Sequence, residues 1–288
     1  MLPLTIRRKT VTEGDLPEIE ATIRAHWRRG RKQISRILCQ RWKWVQPNGE
    51  LRDMACRELL LTLERKGLIH LPPPIRNANN HKRNRIIARI SVDQSILHGK
   101  LSDFPEPTLQ PVRNTPLEPL YNSLVEQHHY LGYRQIVGAH LKYVAFLEGR
   151  PVACLGWGSA AWKVQARDSF IGWDTPTRKN NLHLVANNTR FLVLPWVNIK
   201  CLASKILALC VRRISSDWLK VYHHPVHLLE TFVEKDRFRG TCYKAANWLL
   251  VGETKGVAKR GHKHLAHGRI KEVYLYPLGR KFRKVLFR

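Results

Sequence analysis

Apolar residues recur at helical spacing through the first seventy positions. Leu16, Ile19, Ile23 and Trp27 mark one amphipathic face, with Asp15 as its N-cap. Ile34, Ile37, Leu38 and Trp42 repeat the pattern after Gly30. Pro47-Asn48-Gly49 signals a turn. Met54, Leu59, Leu60 and Leu63 mark a third helix, with Gly67 as C-cap. Leu68-Ile69-His70-Leu71 alternates like a short strand. This order predicts a winged helix-turn-helix over 12–71, with the third helix in the major groove of DNA. A small helical bundle with a basic solvated face is the plainer reading of the same pattern.

Pro72-Pro73-Pro74 opens a linker, 72–113, with few apolar pairs and a basic run through Arg76, Lys82, Arg83, Arg85 and Arg89. Beyond it the period shortens to two. Strands are predicted over 143–147 and 151–157, around a turn at Glu148-Gly149-Arg150, then over 190–194, 226–231 and 249–251. Helices are predicted over 202–214 and 241–248. The fold class expected is α+β: a winged helix-turn-helix followed by a mixed-sheet core domain over 114–278. Residues 279–288 read as a basic tail.

Composition narrows the function. Of 288 residues, 43% are hydrophobic, enough for a core. Lys+Arg number 50 against 22 Asp+Glu, a formal charge of +28. The usual partner of such an excess is a polyanion, and DNA is the expected one. Arg52 and Arg57, in the N-terminal half of the third helix, are candidate base readers. Arg36, Arg41 and Lys43 are candidate phosphate contacts, and Lys82 and Arg83 are placed to track a backbone or enter a minor groove. No apolar run approaches the ~20 residues of a spanning helix. The basic N-terminus lacks the features of a signal peptide. The six cysteines form no C-x-x-C pair. A cytoplasmic protein without a membrane partner is expected. No Walker A or Gly-x-Ser-x-Gly motif is present, so ATP hydrolysis and serine hydrolase chemistry have no support.

Several motifs occur in order: His129-Tyr130-Leu131-Gly132, Phe170-Ile171-Gly172-Trp173, Asn187-Asn188-Thr189-Arg190-Phe191, Leu194-Pro195-Trp196-Val197 and Leu229-Glu230-Thr231-Phe232-Val233. Phe238-x-Gly240-Thr241-Cys242-Tyr243-x-Ala245-Ala246-Asn247-Trp248 completes the set. Together they resemble the DruA family of the Druantia anti-phage system, over about residues 12–278. That resemblance implies phage defence or residence on a mobile element, with other defence proteins as partners. It does not supply a reaction. The order of the Arg190 strand, a helix, a strand and the Tyr243 segment is also similar to the Gcn5-related N-acetyltransferase layout and to the phage Mom proteins, which modify adenine. This second resemblance implies that Arg190, Glu230, Tyr243 and Asn247 open into one cleft. It also implies a cofactor pyrophosphate at the helix start after the Arg190 strand. Asn198-Ile199-Lys200-Cys201-Leu202-Ala203 lacks the glycines such a cradle uses, which argues against acyl-coenzyme A.

The candidate chemistry keeps its alternatives. His129, one of the adjacent pair His128-His129, is a general base or a structural hydrogen-bond partner. Glu230 is paired with Arg190, or it joins Asp168 and Asp174 on a divalent metal. Tyr243 is a general acid, a nucleophile on phosphorus or a core residue. Asn247 carries the donors and acceptors to read a base edge. Trp157, Trp162, Trp173, Trp196 and Trp248 either stack an extruded base or fill the core. His262-x-His264-x-x-His267 is a metal trio or a loop on nucleic acid. The function expected is a DNA-binding protein of DruA type. The alternatives are a transposase-like strand-cleaving enzyme, a base-modifying transferase and an adaptor for partner proteins.

Overall fold

The computed structural model describes residues 2–7, 9–75, 87–260, 263–266 and 268–287. Contacts divide the chain into two units, 1–85 and 86–288. Lys82 and Arg83 lie outside the described residues, as do His262 and His267.

In the first unit β1 (Leu4–Ile6) pairs antiparallel with β2 (Lys9–Val11). Three helices follow: α1 (Leu16–Ala25), α2 (Gly30–Arg41) and α3 (Asp53–Arg65). The predicted stripes form the core, with Ile19, Ile23, Ile34, Leu38, Leu59 and Leu63 all buried. The turn at Pro47-Asn48-Gly49 is present, closed by a bridge between Val45 and Leu51. It lengthens the α2–α3 connection to residues 42–52, beyond the 3–4 residues or so of a tight helix-turn-helix. The wing strand predicted over Leu68–Leu71 does not form. Ile69 and Leu71 are buried, but the chain there forms no strand, and the unit's hairpin precedes α1 instead. The proline triplet bars any ladder from running past Leu71, because three residues without N–H cannot continue one. Side chains hold the segment: Glu64 accepts the Leu71 N–H at 3.1 Å, and Arg31 Nε donates to the Pro72 carbonyl at 2.6 Å.

The second unit is built on a mixed sheet. Its elements in chain order are β3 (Leu97–Lys100), β4 (Thr108–Pro111), α4 (Glu118–His128), β5 (His140–Leu147), β6 (Arg150–Ser159), α5 (Gln165–Ile171), α6 (Thr175–Asn181), β7 (Val185–Val193) and β8 (Val197–Lys200). Then come α7 (Leu202–Tyr222), β9 (Leu228–Glu234), α8 (Thr241–Ala245), β10 (Leu249–Glu253), β11 (Val257–Arg260), β12 (Lys263–Ala266), β13 (Lys271–Pro277) and α9 (Phe282–Leu286). Seven strands form one sheet in the order β10-β13-β9-β7-β6-β5-β4. Every neighbouring pair in it is antiparallel except β7 and β9, joined by the crossover helix α7. Alternation along the strands supplies two apolar faces. Ala186, Leu229 and Tyr274 join the cluster that holds Ile206, Leu207 and Ile214 of α7. Val185, Leu228, Val273 and Leu275 pack with Ile171 of α5 and with Phe282 and Leu286 of α9.

Three sequence expectations change here. The 226–231 strand runs over Leu228–Glu234, so Glu230 sits in mid-strand and not at its end. The basic C-terminal segment contributes β13 to the middle of the sheet. The expected tail contains α9, with Trp173 Nε1 donating to the Leu286 carbonyl at 2.9 Å. Among the described residues no helix is long and apolar enough to cross a membrane.

Candidate functional site

β7 and β9 pair only where Val185–Asn188 faces Leu228–Thr231. Beyond that stretch the strands separate. Their facing edges, Thr189–Val193 and Phe232–Glu234, have no ladder partner across the gap. A cleft of about 650 Å³ opens between them. That size suits a small organic ligand or one unit of a polymer, in the usual range of ~300–1,000 Å³.

Tyr243 on α8 forms the cleft floor. Gly240 starts that helix at φ +64°, and a Cβ there would meet the Tyr274 hydroxyl and ring at 2.5 and 2.8 Å. Glycine is therefore required on two counts. The Tyr243 hydroxyl donates to Asn188 Oδ1 at 2.7 Å. Asn188 Nδ2 donates to the Gly156 and Arg190 carbonyls, both at 3.0 Å, which fixes the amide's orientation. Thr231 Oγ1 donates to the Asn188 carbonyl at 3.2 Å and lies 3.4 Å from the phenol oxygen. Burial pushes the Tyr243 phenol well up, so it stays protonated. Its proton is already engaged inside the protein, and a general-acid role would first have to break the Asn188 bond.

Basic and aromatic side chains line the walls. The loop after α4 brings His129 and Tyr130, β7 brings Arg190, and the loop after β9 brings Arg237, Phe238 and Arg239. Lys271 also lines the cleft, with Glu234 as its cross-strand partner. Arg190 is half-buried and donates to the Thr189 carbonyl at 2.7 Å and the Gly132 carbonyl at 3.3 Å. Burial lowers its pKa, and no carboxylate among the described residues pairs with it. His129 is pushed down to about 4 by burial first, then by Arg190 and Arg237. Its Nδ1 accepts the Leu131 N–H at 3.1 Å, which leaves the ring proton on Nε2. His129 is thus a neutral, weakly basic ring with its acceptor occupied, a poor general base near pH 7.

Glu230 does not share this cleft, and it does not pair with Arg190. Alternation turns its side chain to the opposite face of the sheet from Thr231. There Glu230 and Arg167 are both 0% exposed. Arg167 Nη1 donates to Glu230 Oε2 at 2.8 Å, and the Ala161 N–H donates to Oε1 at 2.7 Å. Arg167 also grips Asp168 Oδ1 through Nε and Nη2, at 2.9 and 2.8 Å. Arg178 Nη1 donates to Asp168 Oδ2 at 3.0 Å. Burial raises the Glu230 pKa, and Arg167 pulls it back. The proposed trio of acids does not assemble, because Asp174 caps α6 through the Thr177 N–H at 2.8 Å. Among the described residues no group of three His, Cys, Asp or Glu side chains is placed to hold a metal.

Asn247 lines a second cavity of about 430 Å³, with Cys201, Ser204, Lys205 and Arg212. The first turn of α7 therefore opens there and not beside Tyr243. β8 also intervenes between the Arg190 strand and that helix. None of the five candidate tryptophans lines the cleft. Trp157, Trp173, Trp196 and Trp248 are core residues, and only Trp162 is exposed.

In the first unit Arg36 and Lys43 are exposed. Arg41 donates to Thr22 Oγ1 at 2.8 Å and lies 3.9 Å from Glu18. The two candidate base readers are engaged internally: Arg52 Nε donates to the Val45 carbonyl at 2.9 Å, and Arg57 pairs with Asp53 at 3.2 Å. Of the predicted site residues, His129, Arg190 and Tyr243 come together. Sequence reasoning missed the roles of Asn188, Thr231, Tyr130, Arg237 and Phe238. All but Arg237 lie inside the distinctive motifs, which was the available signal.

A family model described as "Druantia protein DruA" matches residues 62–261, more than two-thirds of the chain. Among solved structures, an N-acetyltransferase from Staphylococcus aureus Mu50 aligns at 10% identity, covering 60% of this chain and 99% of its own, with a TM-score of 0.39. The aminoglycoside acetyltransferase AAC(6')-Ib, solved with ribostamycin and coenzyme A, aligns at 15% identity over 62% of this chain and 97% of its own, with a TM-score of 0.39. No curated protein matches the chain.

Proposed function

The chain belongs to the DruA family, and from that premise we propose that it is a DNA-binding protein acting in anti-phage defence. The observation that carries this reading is the set of cations that have no acidic partner among the described residues. Lys32, Arg36 and Lys43 are exposed in the first unit, and Arg190, Arg237 and Arg239 surround the cleft of the second. Each such cation neutralises a phosphate and releases a condensed counterion, which is the main source of affinity for nucleic acid. The three-helix unit serves as the duplex-binding module, with α2 presenting its cations to phosphates. The engaged state of Arg52 and Arg57 favours backbone contact over base readout in this unit.

Strand cleavage by a metal centre draws no support from the cleft, whose lining contributes one carboxylate, Glu234. Acid–base transfer chemistry draws little, since the Tyr243 proton and the His129 acceptor are both occupied. The site is better suited to holding a ligand than to breaking a bond. The test is charge reversal in the first unit, Lys32→Glu with Arg36→Glu, in a duplex-binding assay. We expect a loss of about tenfold or more, ~1.4 kcal/mol. Unchanged duplex affinity would remove the first unit from the interface.

A further inference from the structure

The loop after α4 and the loop after β9 meet above the cleft. Tyr130 and Phe238 lie with ring centroids 5.3 Å apart at 60°. The Arg237 guanidinium sits 4.3 Å from the Tyr130 centroid and 5.8 Å from that of Phe238. His129 stacks against Tyr130 with ring centroids 4.8 Å apart. This aromatic lip is not core. Phe238 is 44% exposed, and Arg237 and Arg239 beside it are exposed with no acidic partner among the described residues. Three features thus converge on one cavity: aromatic faces at the mouth, guanidinium groups beside them, and two unpaired strand edges within.

Each feature selects a different part of a ligand. Aromatic faces favour a planar ring, and stacking of a base on such a face is worth ~1–3 kcal/mol. The guanidinium groups favour a phosphate, which they bind in bidentate fashion. The open edges of Thr189–Val193 and Phe232–Glu234 offer backbone N–H and C=O groups, which suit the donors and acceptors along a base edge. Polypeptide would use the strand edges but leave the guanidinium groups without an anion. An anionic sugar would use the guanidinium groups but not the stacking faces. We infer that the cleft between β7 and β9 takes a single unpaired nucleotide of a nucleic-acid strand. Its base stacks on Phe238, the exposed ring of the lip, with its edge toward the strand edges, and its phosphate stays at Arg237 and Arg239. No covalent step is implied. This inference rests on the DNA-binding reading and names the unit that the second site holds.

The test uses the full chain and two fluorescein-labelled duplexes of one sequence, one fully paired and one with a single unpaired nucleotide. A single-stranded oligonucleotide and free coenzyme A serve as further probes. Wild-type protein should bind the bulged duplex more tightly than the paired one. Phe238→Ala should lower affinity for the bulged duplex and the single strand by about tenfold, and leave the paired duplex within about twofold. Phe238→Trp should restore it, because indole offers a larger stacking face. The inference is overturned if Phe238→Ala changes bulged and paired duplexes equally, or changes neither. It is also overturned if coenzyme A displaces the single strand from the wild type and is itself bound through Phe238. Loss of paired-duplex binding by the wild type, with the single strand still held through Phe238, would sink the DNA-duplex reading and leave this one standing.

Discussion

Replacing Arg167 with Met should expose how the two faces of the sheet divide their work. Arg167 is fully buried and serves Glu230, Asp168 and the Ala161 carbonyl at once. Met preserves much of the side chain's length but removes the charge and every donor. Asp168 keeps Arg178 at 3.0 Å. Glu230 keeps only the Ala161 N–H, and becomes a buried carboxylate without a cation. Breaking a buried pair from one side costs about 3–5 kcal/mol. In a unit of this size each kcal/mol lowers the melting temperature by ~2–4 °C, which gives a drop of roughly 6–20 °C at pH 7. The pH dependence follows from the raised Glu230 pKa. A carboxyl whose folded pKa exceeds its unfolded value is a burden above the unfolded value, relieved as the pH falls and the group is protonated. The gap between variant and wild type should therefore narrow from pH 7 to pH 5. Differential scanning calorimetry of the full chain at both pH values measures it. A gap below about 2 °C, or one that does not narrow on acidification, would refute the assignment of this network to structure.

Three further outcomes are expected. Tyr243→Phe removes the Asn188 bond and should cost about 1 kcal/mol of stability while leaving paired-duplex affinity unchanged. A loss of defence activity in cells at unchanged melting temperature would instead give the phenol a chemical role. Gly240→Ala should destabilise more than Tyr243→Phe, since it combines positive φ with a clash against Tyr274, and thermal melting of the two variants ranks them. His129 and His183 are both held near a pKa of about 4, chiefly by burial, so the unfolded chain binds more protons between about 4 and 6.5. Stability should rise with pH across that window. Melting curves of His129→Gln and His183→Gln should show a flatter dependence than wild type, and an unaltered slope would place both rings in contact with water.

Much of the second unit was legible because its strands are apolar and short. Tyr143–Leu147, Pro151–Trp157 and Arg190–Leu194 are dense in β-branched, aromatic and aliphatic residues; the first two make up most of a strand, and the third covers only the last four residues of β7, which starts earlier at Val185. β13 was hidden because it opens with Lys271-Glu272 beside a basic run, so no strand was assigned to this end of the core domain. α9 was hidden likewise, since its only buried side chains, Phe282 and Leu286, are two apolar residues one turn apart. The wing failed because alternation over four residues cannot show whether a partner strand exists. Glu230 was misassigned for a longer-range reason. Its partner Arg167 lies 63 positions earlier, on a helix that no periodicity connects to β9. Arg190, the expected partner, sits beyond the stretch where β7 and β9 pair. The cleft is a consequence of that early separation, a property of register and twist that no local pattern encodes.

With nucleic acid as the partner, phosphates supply most of the affinity. The direct measurement is fluorescence anisotropy of the full chain with a paired duplex, titrated across ~50–200 mM salt. The account predicts a linear fall of log affinity with log salt, with a slope of about −0.9 for each phosphate contacted. It also predicts a shallower slope for Lys32→Glu with Arg36→Glu, which removes two of those contacts. A flat titration, or wild-type and variant slopes that coincide, would contradict it.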